Sequence, residues 1–256
     1  MKGHRSAVVA VIPVRLDSSR LPGKALVDIC GLPMIVHVLL RCRYADLLDD
    51  VVIATDSEQI REVVEAYGGQ VMMTRSDHEN GTERVAEAAK SIDAEVIVNV
   101  FGDEALVDPL SIDAVIRGLQ EDPDVNVAIL VNPFATRNSP SDIKVVLDNR
   151  GYVLYFSRSD IPSDSRSPEA PMLKAYHILP FRREFLLEYA TWEPGVLEKI
   201  EFHEHLRILE RGHRVRAVEV ESSAVSVDTP KDLEFVRSVM PVDPYFQRYS
   251  KGWTAS

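Results

Sequence analysis

Through the first half of this chain, short β-branched apolar runs alternate with amphipathic stretches of helical period, and few folds accept that alternation. Ala7-Val8-Val9-Ala10-Val11-Ile12 reads as a strand buried on both faces. Residues 50–54, 71–74, 95–100 and 125–131 carry the same signature. Helical patterns fill the gaps. One opens at Pro33, which suits a first helical turn, and lines up Met34, Val38 and Leu39. A second spans 57–67, with Ser57 as N-cap and Gly68-Gly69 as its stop. Two more cover 82–92 and 108–120. The rhythm predicts an α/β fold: a Rossmann-like, mostly parallel sheet with helices on both faces. Ligands of such sheets gather at the carboxyl ends of the strands.

The second half changes character. Residues 143–147 and 152–157, joined by Asp148-Asn149-Arg150-Gly151, read as an inserted β-hairpin. Residues 163–171 are rich in Ser, Pro and charge and read as a mobile loop. Helical patterns return at 182–190 and 197–210, and 214–220 reads as a last strand. Asp228 or Thr229 caps a helix that Pro230 starts and that runs to Met240. The tail, 241–256, has no clear period, and no internal repeat is evident.

Charge narrows the chemistry. Asp and Glu number 40 against 29 Lys and Arg, a net charge of −11, so a generic nucleic-acid surface is not expected and an anionic ligand needs a local cationic site. Arg15, Arg20 and Lys24 supply one, on the loop that leaves the first strand. The loop is not a Walker A sequence, since Ala25 follows Lys24, and it reads either as a triphosphate cradle or as a surface loop with scattered cations. Asp103, in Gly102-Asp103-Glu104 after another strand, reads as a ligand for a divalent cation or as a helix cap, and Asp228 has the same two readings. Both carboxylates beside a cationic loop suit a magnesium–nucleotide site.

Other polar residues read as structure. Cys30 and Cys42 form no CxxC pair, which places the chain in a reducing cytoplasm. The first apolar run is too short to span a membrane. His37 reads as a packed helical residue and Trp192 as a packing anchor. His203 and His205, two apart, would not share a helix face, so no zinc pair is expected. Glu198 and Glu201 read as a solvated face, with Glu204 set apart from it.

The motifs, taken together, are more specific. Ile12-Pro13-Val14-Arg15, Ser18-Ser19-Arg20-Leu21-Pro22-Gly23-Lys24, Ile53-Ala54-Thr55-Asp56, Met73-Thr74-Arg75-Ser76-Asp77-His78, Gly81-Thr82-Glu83-Arg84, Asn99-Val100-Phe101-Gly102-Asp103-Glu104, Lys144-Val145-Val146-Leu147-Asp148, Leu154-Tyr155-Phe156-Ser157-Arg158 and Val227-Asp228-Thr229-Pro230 follow one another in order. Over roughly residues 7–240 the chain resembles the 3-deoxy-manno-octulosonate (Kdo) cytidylyltransferases, of the nucleotide-diphospho-sugar transferase type. The resemblance implies Mg²⁺ at Asp103 and Asp228, and Arg15, Arg20 and Lys24 as the catalytic cations. It implies CTP held by Pro13, Val14, Ser18, Ser19, Arg75, Gly81, Thr82 and Glu83. It further implies a homodimer with the hairpin region in contact. The chain then divides into a nucleotide-binding core at 1–131, a hairpin, acceptor and dimerisation insertion at 132–190, a return to the core at 191–240, and the tail.

The departures cluster at the acceptor. Family members carry Gln where Phe101 stands, His for Ala175, Tyr for Leu179 and Gln for His205, while Glu204 and Arg207 remain. Phe101 and Leu179 remove groups that bond sugar hydroxyls; His177, His205 and Lys174 add potential cationic donors. The expected acceptor site is Phe101, Lys174, His177, Glu204 and His205, and the expected acceptor a small anion, a phosphonate such as phosphonoformate. Relatives in phosphonate pathways attach CMP to such acids. Kdo or amino-Kdo is the alternative acceptor, and a non-catalytic CTP-binding regulator the alternative of another class. In the catalytic reading an anionic acceptor oxygen attacks the α-phosphorus, pyrophosphate leaves in line, and neither a protein nucleophile nor a general base is needed.

Overall fold

The computed structural model describes residues 7–16, 21–167, 170–221 and 225–252. In chain order the elements are β1 (Val8–Pro13), β2 (Asp28–Ile29), β3 (Leu32–Pro33), α1 (Met34–Cys42), β4 (Asp50–Thr55), α2 (Glu58–Ala66), β5 (Gln70–Met73), α3 (Gly81–Ala89), β6 (Val96–Val100), α4 (Pro109–Gln120) and β7 (Ala128–Phe134). They continue with β8 (Lys144–Leu147), β9 (Val153–Ser157), β10 (Met172–Tyr176), β11 (Ile178–Arg182), α5 (Arg183–Tyr189), α6 (Val196–Glu201), α7 (Leu206–Glu210), β12 (Arg216–Glu219), α8 (Pro230–Val239) and α9 (Pro244–Tyr249).

The β-branched runs form the centre of the main sheet, ordered β11-β6-β1-β4-β5. β1 pairs in parallel with both β4 and β6, and β4 with β5. Alternate residues face opposite layers. Val8, Ala10 and Ile12 meet α1 and α4, whereas Val9 and Val11 meet Val85, Ala86 and Ala89 of α3. Burying both faces explains why these strands carry no polar alternation, each buried Val or Ile contributing roughly 1.5–3 kcal/mol. A second sheet, β12-β7-β10-β8-β9, holds the expected β8–β9 hairpin, and a bridge between Val127 and Phe181 ties it to the first. β11, which lies within 132–190, pairs antiparallel with β6, so the main sheet draws one strand from that segment.

Local signals act as their chemistry requires. Ser57 accepts from the Ile60 amide, and Thr229 from the Asp232 amide. The hairpin turns where Gly151 takes a φ of 82° and Asp148 Oδ1 accepts from the Arg150 and Tyr152 amides. One expectation changes, and two stretches without an assigned element gain structure. Residues 197–210 are not one helix: Phe202, at φ 49°, ends α6 and turns the chain into α7. β10 and β11 are strands that the polar and proline residues of 172–182 conceal. The tail is partly ordered as α9, which covers α1, and every residue of α1 is buried. His37 there joins the Tyr249 hydroxyl at 2.6 Å and the Ile29 carbonyl at 2.8 Å. Residues 168 and 169, within the loop expected at 163–171, lie outside the described set, as do 253–256 of the tail. Among the described residues no helix is long and apolar enough to cross a membrane.

Asp108 caps α4, accepting from the Leu110 and Ser111 amides at 3.2 Å each and from Ser111 Oγ at 2.8 Å. Asp108→Ala is expected to cost about 1 kcal/mol in urea unfolding; an unchanged midpoint would contradict this role.

Candidate active site

The carboxyl ends of β1 and β6 meet over two glycines. A Cβ at Gly81 would lie 3.3 Å from Pro13 Cγ, and one at Gly102 would lie 3.2 Å from the Pro13 carbonyl oxygen. A Cβ at either position would make the end of β1 give by a few tenths of an ångström, so the two glycines ease the close approach of α3 and of the turn after β6. On this edge Lys24 Nζ donates to Asp103 Oδ2 at 2.8 Å and Asp228 Oδ1 at 3.0 Å. Burial pushes the Lys24 pKa down, but the two carboxylates outweigh it and hold the ammonium above its ordinary value. Asp103 Oδ1 is buried with no hydrogen-bond partner among the described residues.

Asp103 and Asp228 line a cleft of about 1260 Å³, together with Phe101, Lys174, His177, Glu204 and His205. The cleft exceeds the usual single-ligand range of about 300–1,000 Å³. Lys174 pairs with Asp142 at 2.6 Å. Phe101 and His177 stack at 4.9 Å with their planes 7° apart. Thr82 lies beneath, its Oγ1 donating to Glu204 Oε1 at 2.9 Å and accepting from Asn99 at 3.0 Å.

Other expected site residues do not line the cleft. Arg75 is exposed, its guanidinium 3.3 Å from Glu87 and 3.4 Å from Asp77. Glu83 turns back to accept from the Glu79 amide and the Asn80 side chain. Arg15 is exposed just beyond β1, and Pro13 and Val14 are half-buried. Ser18, Ser19 and Arg20 lie outside the described residues.

Several polar assignments change. Leu179 is fully buried in the core opposite Asn99 and does not line the cleft. Glu198 forms a two-armed pair with Arg207 at 2.6 and 2.7 Å, and Glu201 accepts from Ser157 and the Arg158 amide, so neither belongs to a solvated face. His203 and His205 do approach, with ring centroids 5.0 Å apart, because the left-handed Phe202 removes the helix that would have separated them. His203 and Glu104 also line the cleft, and sequence reasoning assigned them no role there. Burial and the adjacent Asp103 push Glu104 up to about 8, against a hydrogen bond from Ser226. For His203 the one available signal was its place beside Glu204, which a helical reading discounted.

The histidines are not cationic donors. Burial pushes His177 down to about 4 and His205 to about 3, and holds His203 well below the ordinary imidazole value. Burial raises Glu204 to about 7 despite the Thr82 hydrogen bond. The linkage has opposite signs for the two groups. Below pH 6.5 the unfolded state protonates imidazoles that the native state keeps neutral, so stability falls with pH. Glu204 keeps its proton in the native state between 4.5 and about 7, so it costs stability as pH rises through that window. His205→Gln should therefore flatten the acid side of the stability profile by about one proton in urea unfolding between about pH 7.5 and 5. Profiles that stay parallel would contradict a neutral buried His205.

The cytidylyltransferase family model matches residues 9–219. A 3-deoxy-manno-octulosonate cytidylyltransferase of Geobacter sulfurreducens is 45% identical over 243 residues, covering 90% of this chain and 97% of the relative. A solved structure of CMP:2-keto-3-deoxy-manno-octonic acid synthetase, complexed with CTP, superposes with a TM-score of 0.89 at 39% identity, covering 93% of this chain and 99% of that one. A cytidylyltransferase from Leptospira borgpetersenii shares the fold at a TM-score of 0.64 and 18% identity, covering 97% of this chain and 95% of that one. With Lys24 fixed between two carboxylates on the carboxyl edge of a mostly parallel sheet, and with likeness over nearly its whole length, the chain belongs to the cytidylyltransferase family, as a CTP-dependent nucleotidyltransferase.

Proposed function

We propose that the protein couples CMP from CTP to a sugar acid of the Kdo class and releases pyrophosphate. The observation that carries this reading is the division of the cleft. One end holds the carboxylates Asp103 and Asp228, bridged by Lys24; further along lie neutral imidazoles, beside the Lys174–Asp142 pair and Arg158. The volume suits a nucleotide and a second ligand together. Likeness to Kdo cytidylyltransferases over about nine-tenths of the chain supports the same acceptor class.

Asp103 and Asp228 fit a magnesium ion. They are hard oxygen donors, Asp103 Oδ1 is buried without a partner, and the pair already accepts a cation in Lys24. Bound there, Mg²⁺ would neutralise phosphate charge. Lys24, Arg15 and Arg20 would hold the triphosphate while the acceptor oxygen attacks the α-phosphorus. The nucleotide would lie along Pro13, Val14, Ser18, Ser19 and the start of α3 at Gly81, Thr82 and Glu83. Arg75 would face the base only after leaving Glu87 and Asp77. Thr82 would contribute through its backbone, since its hydroxyl is engaged. A cytoplasmic homodimer with the hairpin in contact completes the proposal.

One observation favours a small phosphonate acceptor instead: the Phe101–His177 stack stands where the resemblance implies an amide. The other ground for it, an excess of positive charge, is weakened because the imidazoles are neutral and Lys174 is paired with Asp142. Pyrophosphate release should be followed with CTP and Mg²⁺ against Kdo, amino-Kdo, sialic acid and phosphonoformate. Kdo is expected to give a kcat/KM about 100-fold above phosphonoformate, and the reverse order overturns the acceptor assignment. CTP binding without pyrophosphate release, whichever acid is supplied, would point to the binding-only regulator. Lys24→Ala should lower turnover at least about 100-fold while the protein stays folded; undiminished turnover would remove Lys24 from the mechanism.

A further inference from the structure

Lys144 and Lys174 stand opposite each other in register on the neighbouring strands β8 and β10. Like charges so placed repel, and Lys144 is fully buried besides. Burial holds its pKa below the ordinary lysine value, against the pull of Asp160 and Asp142. The contacts of this costly ammonium are specific. Lys144 Nζ donates to the carbonyls of Arg158 at 2.5 Å, Ser139 at 2.6 Å and Asp142 at 2.8 Å, with Asp160 Oδ1 3.8 Å away. Its three N–H groups are thereby spent, and Lys144 does not line the cleft. We propose that, in the Kdo-transfer reading on which this rests, Lys144 is a positioning residue: through Asp142 it fixes the Lys174 ammonium on the cleft wall.

The relay runs through one residue. The Asp142 carbonyl accepts from Lys144, Oδ2 accepts from Ser139 Oγ at 2.5 Å, and Oδ1 pairs with Lys174 Nζ at 2.6 Å. All three Asp142 oxygens are engaged, and Lys144 also holds Ser139 by its carbonyl. The same loop is pinned from a second side. Arg158, whose carbonyl Lys144 binds, donates to the Pro140 carbonyl at 2.8 Å and to the carbonyls of Glu201 and Phe202. Asp142 therefore cannot swing away without unpairing a buried ammonium.

The residue type suits the task. Three carbonyl oxygens converge on one atom, which a compact ammonium answers and a planar guanidinium does not. The far end of the relay faces the cleft. Lys174 lines it, and its charge bears on Glu104 and on His177, which line it too. A long lysine side chain samples many rotamers when free. Fixing it against a carboxylate that is itself fixed spends that entropy before a ligand arrives.

The test is a double-mutant cycle, read by pyrophosphate release with CTP and Kdo. Lys144→Met keeps the stem and removes the ammonium. It should raise KM for Kdo about tenfold and leave KM for CTP within about twofold. Lys174→Met should raise KM for Kdo at least as much. In the Lys174→Met background, Lys144→Met should add less than about twofold, because the relay then has no end group to place. Asp142→Asn breaks the relay one step later while leaving Lys144 its three carbonyls. It should repeat the pattern alone and with Lys174→Met, and it carries the test if melting shows that Lys144→Met does not fold. Losses that multiply in the double variants would show that Lys144 and Asp142 only support the fold, and would overturn the proposal. A KM for Kdo unchanged in Asp142→Asn would overturn it equally. A wild-type protein that releases no pyrophosphate with Kdo defeats the function reading itself, before any variant is compared, and the proposal with it.

Discussion

The ammonium of Lys24, between the carboxylates of Asp103 and Asp228, joins segments separated by 79 and 204 residues. It can do so only because β1 and β6 are hydrogen-bonded neighbours and the turn after β6 closes against Pro13. The loop after β1 thereby meets the chain ahead of α8. Two carboxylates facing each other would repel, and the lysine offsets that repulsion at the carboxyl edge of the sheet. The rest of the fold serves this meeting point. The apolar strands hold the register, α3 begins against Pro13, and the Val227 amide bonds the Asp103 carbonyl at 3.0 Å, which fixes the two acidic segments to each other.

The opposite end of the cleft follows a different principle. There the imidazoles of His177, His203 and His205 are buried and uncharged, and the Arg207–Glu198 pair and the left-handed Phe202 order the segment that carries His203 and His205. In the proposed reaction the first end would neutralise phosphate charge and the second would choose the acceptor.

How much of this the sequence disclosed depends on what each signal measures. Runs such as Ala7–Ile12 reveal a doubly buried strand because β-branched residues without polar alternation have few other uses. The cations and carboxylates of the charged end could be named because they follow strands, and strands of a parallel sheet bring their carboxyl ends together. β10 and β11 were hidden because Lys174, His177 and Pro180 interrupt the pattern; Pro180 nonetheless holds its place opposite Val98. Periodicity over 197–210 could not reveal Phe202, whose positive φ carries no glycine signature. The histidines misled for a related reason. Composition counts them as potential cations, but burial decides their charge, and burial is a tertiary property.

The central claim is that Asp103 and Asp228 together hold a divalent cation against the CTP phosphates. Electron paramagnetic resonance of Mn²⁺, titrated into the protein in the presence of CTP, tests it most directly. The account predicts that Asp103→Asn and Asp228→Asn each weaken Mn²⁺ binding by about tenfold or more while the fold is kept. Wild-type affinity in both variants would contradict it.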